Sequence, residues 1–154
     1  MRKVLLLALF LGACAKKEAP PADTTPAAPP LPPPPAALTA ADVSGTWNGT
    51  SKVEGDTTTN MFTVTSLTDS TSTVTFKPTN TKVAVTTKFD ADSMIVTSQP
   101  YKDPGMPKGT PNVIFRAVGR RAGEGKLSGT TTLMLASKPD SVVGHATWEA
   151  TKAP

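Results

Sequence analysis

The chain has 154 residues, with 16 Lys and Arg against 12 Asp and Glu, and its formal net charge of +4 falls to +2 without Arg2 and Lys3. The cations are spread along the sequence and aromatics make up only 5% of it, which argues against a nucleic-acid binder, since such proteins gather their cations on one face and interleave rings for stacking. The single cysteine, Cys14, excludes an internal disulfide, and no run reaches the ~18 apolar residues of a membrane-crossing helix, so the fold must hold by burial alone.

Met1-Arg2-Lys3 is a short positive segment, and Val4 to Leu11 is a continuous apolar run of the length that a secretion signal uses. Leu11-Gly12-Ala13-Cys14 follows directly. This stretch resembles the lipobox of bacterial lipoproteins, in which a leucine stands three before the cysteine and two small residues fill the cleavage pocket. The resemblance implies that residues 1–13 are a signal peptide that is removed. It also implies that Cys14 carries a diacylglyceryl thioether and, on the freed amine, a further acyl chain such as palmitate. Several chains on one residue satisfy the two-signal requirement for stable anchoring, because each buried methylene contributes ~0.8 kcal/mol. The expected location is the bacterial cell envelope, and Ala15 in place of aspartate after the cysteine looks like release to the outer membrane.

Residues 14–42 form the expected tether. Pro20-Pro21, Pro26, Pro29-Pro30 and Pro32 to Pro35 remove backbone donors, and little apolar bulk accompanies them, so the segment reads as a polyproline-type spacer. At ~3.1 Å per residue it reaches ~80 Å when extended.

From residue 43 to 154 the composition changes to Thr, Val, Ser and Gly in alternation, the period-two pattern of half-buried strands. Eight strands are predicted: 44–53, 61–67, 72–77, 81–89, 93–98, 112–119, 126–136 and 141–151. Short turn signals such as Glu54-Gly55-Asp56, Pro78-Thr79-Asn80 and Ala122-Gly123-Glu124-Gly125 separate them, which predicts an antiparallel meander. The alternation places Val43, Trp47, Val53, Phe62, Val64, Val74, Phe76, Val83, Val85 and Phe89 on the inner face. Val113, Phe115, Ala117, Leu127, Leu133, Leu135, Val142, Ala146 and Trp148 continue that face. A meander of this kind hides its edges by pairing the first strand with the last, so the expected fold is an all-β, eight-stranded up-and-down barrel, with a two-sheet β-sandwich as the alternative. Closure is expected to bring Trp47 and Trp148 together as a plug.

Gly45-Thr46-Trp47-Asn48-Gly49 resembles the first strand of the calycin-type barrels, the lipocalins and avidins, where the Trp plugs one end. Val143-Gly144-His145-Ala146-Thr147 is similar to the closing strand of the avidins. The aspartate that follows Gly-His in that pattern is Ala146 here, so biotin binding does not carry over. The resemblance implies a barrel and names no ligand.

Candidate sites are few. His145 is the sole histidine and falls on an outward face, leaving a paired metal ligand or a His-based acid–base pair without a partner. Asp90 and Asp92 read as a turn, since no calcium-loop spacing follows. Arg116, Arg120, Arg121 and Lys126 gather near one hairpin, where Glu124 makes a solvated surface the simpler account. No nucleophile elbow or Ser-x-x-Lys arrangement is present, so no catalytic residue, metal or cofactor is expected. The longest internal loop, 99–111, is the best candidate for binding: Tyr101 and Met106 offer apolar contact, and Lys102 and Lys108 could meet an anionic head group. Two functional readings stay open. One is a membrane-anchored barrel that binds a small apolar or amphipathic ligand, or a partner surface, without catalysis. The other is a structural or adhesive envelope protein with a filled core. Packing of the lumen by Phe62, Phe76, Phe89, Phe115 and Leu133, or an opening beneath the 99–111 loop, distinguishes them.

Overall fold

A computed structural model describes residues 36–68 and 71–154; the expected signal peptide, Cys14 and most of the tether lie outside the described residues. One short helix, α1 (Ala40–Val43), precedes eight strands: β1 (Gly45–Val53), β2 (Thr59–Thr68), β3 (Thr71–Phe76), β4 (Thr81–Asp90), β5 (Ser93–Ser98), β6 (Val113–Gly123), β7 (Lys126–Leu135) and β8 (Lys138–Lys152). Each strand pairs antiparallel with the next, and β1 also pairs with β8, from Trp47 opposite Lys152 to Val53 opposite Ala146. The sheet closes on itself as a barrel, which excludes the sandwich.

Period-two alternation produces this closure. Trp47 and Gly49, Ser72 and Val74, Val83, Val85 and Thr87, and Val113, Phe115 and Ala117 are all buried, while the residues between them face water or are only partly covered. Cross-strand pairs tie the pattern together, as with Val64 between Trp47 and Val74 on one rung. Inside, the rings need room at specific backbone positions. A Cβ on Gly119 would lie 2.7 Å from the Trp148 ring; one on Gly129 would fall on the Val118 carbonyl oxygen and 2.8 Å from the same ring. Trp148 therefore rests on a floor made by two facing glycines, Gly119 opposite Gly129. Gly129→Ala is expected to lower stability by about 3 kcal/mol, because the offending neighbour is backbone and cannot rotate away. The midpoint and slope of a guanidinium unfolding curve check this, and an unchanged midpoint would show that the β6–β7 pair tolerates the spread.

Three expectations need correction. The tryptophans are not neighbours: Trp47 faces Lys152 and Trp148 faces Ser51, four rungs apart or roughly 13 Å along the strands. Only Trp47 belongs to the plug, and Trp148 is a wall residue that meets Phe62 edge-on at 6.4 Å. Val142 is exposed, because irregularities in the β7–β8 register place Gly144 opposite Leu133 but Val142 opposite Met134, leaving Val143 as an extra residue that reverses the alternation beyond it. The end of the expected tether is part of the packed domain. Leu38 is 3% exposed and joins the core with Val43 and Trp47, and its N–H donates to the Ala91 carbonyl at 2.9 Å.

That last contact defines the two ends of the barrel. The end of β2, the start of β3 and the turns at 91–92 and 124–125 share one end with Leu38, α1 and the C-terminal residues, whose Ala153 N–H donates to the Thr46 carbonyl at 2.8 Å. This end is closed. The connections at 54–58, 77–80, 99–112 and 136–137 ring the other.

Candidate functional site

Chain geometry makes the closed end first. Gly45 takes φ +97°, a conformation that suits glycine, so the chain can turn out of α1 and into β1. Two residues later Trp47 lies beneath the helix and donates its indole N–H to the Val43 carbonyl at 2.9 Å. The Lys152 ammonium stands 5.8 Å from the Trp47 ring centre. An electrostatic latch holds the helix down: the Arg121 guanidinium pairs with the Asp42 carboxylate at 2.6 Å, and the same carboxylate oxygen accepts the Thr39 hydroxyl at 2.7 Å and the Thr39 N–H at 2.9 Å. These hydrogen bonds from Thr39, and then Arg121, hold Asp42 well below the usual carboxylate range, at about 2.

Above this floor the lumen is open. A cavity of about 440 Å³ runs from Val43 and Trp47 up to the loop after β5. Its lower wall is mainly apolar, with Val85, Met94, Ala117, Leu127 and Ala150 beside the hydroxyl groups of Ser66, Ser72 and Thr87. An aromatic belt of Phe62, Phe76, Tyr101, Phe115 and Trp148 comes next, and the mouth carries Asp56, Asn60, Lys77, Asp103 and His145. Phe62, Phe76, Phe115 and Leu133 thus line the cavity without filling it, and Phe89 packs against the core. The volume lies within the range of small-molecule sites, about 300–1,000 Å³.

The loop from 99 to 112 overhangs this mouth and is tied down internally. Tyr101 exchanges two backbone hydrogen bonds with Val113, each 2.9 Å. Its ring stacks on Phe76 at 5.8 Å and meets Phe115 edge-on at 6.0 Å. Its hydroxyl donates to Asp103 at 3.0 Å, and the other oxygen of that carboxylate accepts the Gly105 N–H at 2.8 Å. Burial, and then the adjacent Asp103 carboxylate, hold the Tyr101 phenol above its ordinary value, so it stays a neutral donor. Met106 is half-buried, and with Pro104 and Gly105 it lines the cavity.

The predicted binding residues therefore separate into two pairs. Tyr101 and Met106 line the cavity. Lys102 and Lys108 do not: they border a hollow within the loop itself, and the Lys102 ammonium donates to the Thr110 carbonyl at 2.7 Å. His145 is exposed, its ring nitrogen 3.4 Å from the Thr132 hydroxyl, at the rim of the mouth. The Arg116–Lys126 cations disperse: Arg120 pairs with Asp92 at 3.4 Å, Arg121 with Asp42, and Arg116 is exposed between Thr97 and Thr132. Asp90 contributes a backbone carbonyl that accepts the Ser93 hydroxyl at 2.9 Å, as a turn residue does. Among the described residues no group of three or more His, Cys, Asp or Glu comes together. The mouth residues Asp56, Lys77 and Val143 went unremarked in the sequence as site residues, since each lies in or beside an ordinary turn or bulge. No protein-family model matches the chain, and no curated protein matches it.

Proposed function

We propose that this protein is a lipid-anchored lipoprotein of the bacterial cell envelope, at the outer membrane, whose barrel holds a small apolar or amphipathic molecule without catalysis. The anchor rests on Leu11-Gly12-Ala13-Cys14 directly after a positive segment and an apolar run, and on the likeness of that stretch to the lipobox. The binding reading rests on one observation: the lumen contains a cavity of about 440 Å³ with a mainly apolar floor, an aromatic belt and a polar mouth beneath a structured loop. An interior of that kind removes an apolar ligand from water and leaves its polar end at the rim. The Gly-x-Trp opening of β1, with its Trp buried at the closed end, favours kinship with the calycin-type barrels.

Two measurements test the reading. Cys14→Ser should abolish labelling by a palmitate analogue; unchanged labelling would remove the anchor. Native mass spectrometry of the protein from its own host should show an added mass of small-molecule size that is lost on denaturation. Filling the lumen by Ala117→Phe should remove that mass while the barrel still melts cooperatively, because the new ring enters space that is already empty. An unchanged bound mass in Ala117→Phe would move the ligand out of the lumen, and a wild-type protein with no bound mass would favour the filled-core, structural reading.

A further inference from the structure

Four large apolar side chains stand exposed among the described residues: Met61 at 60%, Val142 at 49%, and Val53 and Val143 at 39% each. Their placement is not scattered. All lie toward the mouth on three adjacent strands, Val142 and Val143 on β8, Val53 on β1 and Met61 on β2. Val53 and Val143 also line the cavity, so the exposed strip and the lumen share wall residues. We propose that this lip docks on the surface of a lipid bilayer, and that the cavity takes its occupant, a lipid chain or a bilayer-dissolved amphiphile, across it. The proposal rests on the ligand-binding reading above.

Three observations favour a lipid surface over a protein partner. The exposed strip comprises four side chains, Val53, Met61, Val142 and Val143, against the roughly 20–30 residues a side of a stable protein interface. Its residues are short aliphatics and a methionine, with none of the exposed Trp, Tyr or Arg that anchor protein interfaces. The mouth end is also rich in lysine, a residue that protein interfaces avoid: Lys52, Lys77, Lys82, Lys102, Lys108 and Lys138 stand against Glu54, Asp56, Asp103 and Asp140. Lysine stems can lie along apolar surface with the ammonium raised to anionic head groups. Leu38 enters and Lys152 leaves at the closed end, so the lip is clear of both.

The mature chain from residue 14 carrying Cys14→Ser, which lacks both the apolar signal segment and the acylated cysteine, provides the test. It is mixed with vesicles of phosphatidylethanolamine and phosphatidylglycerol and sedimented, and N-phenyl-1-naphthylamine fluorescence reads cavity occupancy in solution separately. Met61→Ser with Val142→Ser alters the lip at two exposed positions that do not line the cavity. The expected result is a loss of at least tenfold in vesicle partitioning, with dye binding and melting temperature unchanged. Equal partitioning of parent and double variant, or no partitioning by the parent, would overturn the docking. Dye binding absent from a parent that still partitions through the lip would instead remove the ligand-binding reading and with it the transfer. A concentration-dependent dimer that the double variant abolishes would overturn the proposal in favour of a second copy of the chain.

Discussion

Trp47→Ala is expected to cost about 3–5 kcal/mol of folding stability, the range for truncating a buried Trp, in a domain whose whole margin is about 5–15 kcal/mol. The side chain is 4% exposed and packs in the core with Leu38 and Val43. Three losses add together. The ring's transfer free energy is forfeited, the Val43 carbonyl loses its indole donor, and the space left behind joins an existing cavity, so the surroundings have no reason to collapse into it. Trp47→Phe separates the contributions, keeping most of the volume while losing the 2.9 Å hydrogen bond, and should cost markedly less. Guanidinium unfolding followed by far-ultraviolet dichroism measures both. A loss below about 1 kcal/mol for Trp47→Ala would mean that α1, and not the ring, seals the closed end.

The barrel was legible in the sequence because a strand with one wet face writes its orientation every second residue, and the predicted strands coincide with the observed ones to within a few positions at their ends. What the period could not carry was anything that interrupts it. Gly144 stands beside the extra residue Val143, but a lone glycine within a strand does not say on which side the phase breaks, so extending the phase of Trp148 and Ala146 backwards puts Val142 inside when it is outside. Register between distant strands is equally silent. A closed barrel staggers its strands, and the offset that sets Trp47 against Lys152 follows from that shear, which no local pattern encodes. The packed residues 37–43 did leave a trace. Thr39-Ala40-Ala41-Asp42 has the spacing of a helix start with a carboxylate returning to the first residue, and Leu38 interrupts the Pro-Ala composition just before it. The proline density beside it outweighed that signal. At the site, loop length pointed to Tyr101 and Met106, whereas the direction of Lys102 depends on the turn that brings the Thr110 carbonyl within reach.

Replacing Asp103–Gly109 by a short Gly-Ser link should abolish retention of the bound molecule while leaving the barrel folded. Tyr101 is kept in this design for a physical reason: its ring completes a three-ring cluster with Phe76 and Phe115, and its two hydrogen bonds to Val113 continue the β6 edge, so removing it would damage the wall as well as the cover. The deleted residues contribute differently. Asp103 folds the loop back by accepting from the Tyr101 hydroxyl and the Gly105 N–H, and that fold sets Pro104, Gly105 and Met106 against the mouth. A cover of this kind shields the apolar contents from water and slows their escape, so its loss should act mainly on the dissociation rate. Dissociation of N-phenyl-1-naphthylamine, read by stopped-flow dilution, should accelerate at least tenfold with little change in association. The co-purified mass should disappear during chromatography. Melting should shift by no more than a few degrees, because the removed segment is largely exposed and Met106 is its main apolar contact. If the shortened protein keeps the same occupancy and the same dissociation rate, the aromatic belt below the loop holds the ligand unaided, and residues 103–109 serve only to join β5 to β6.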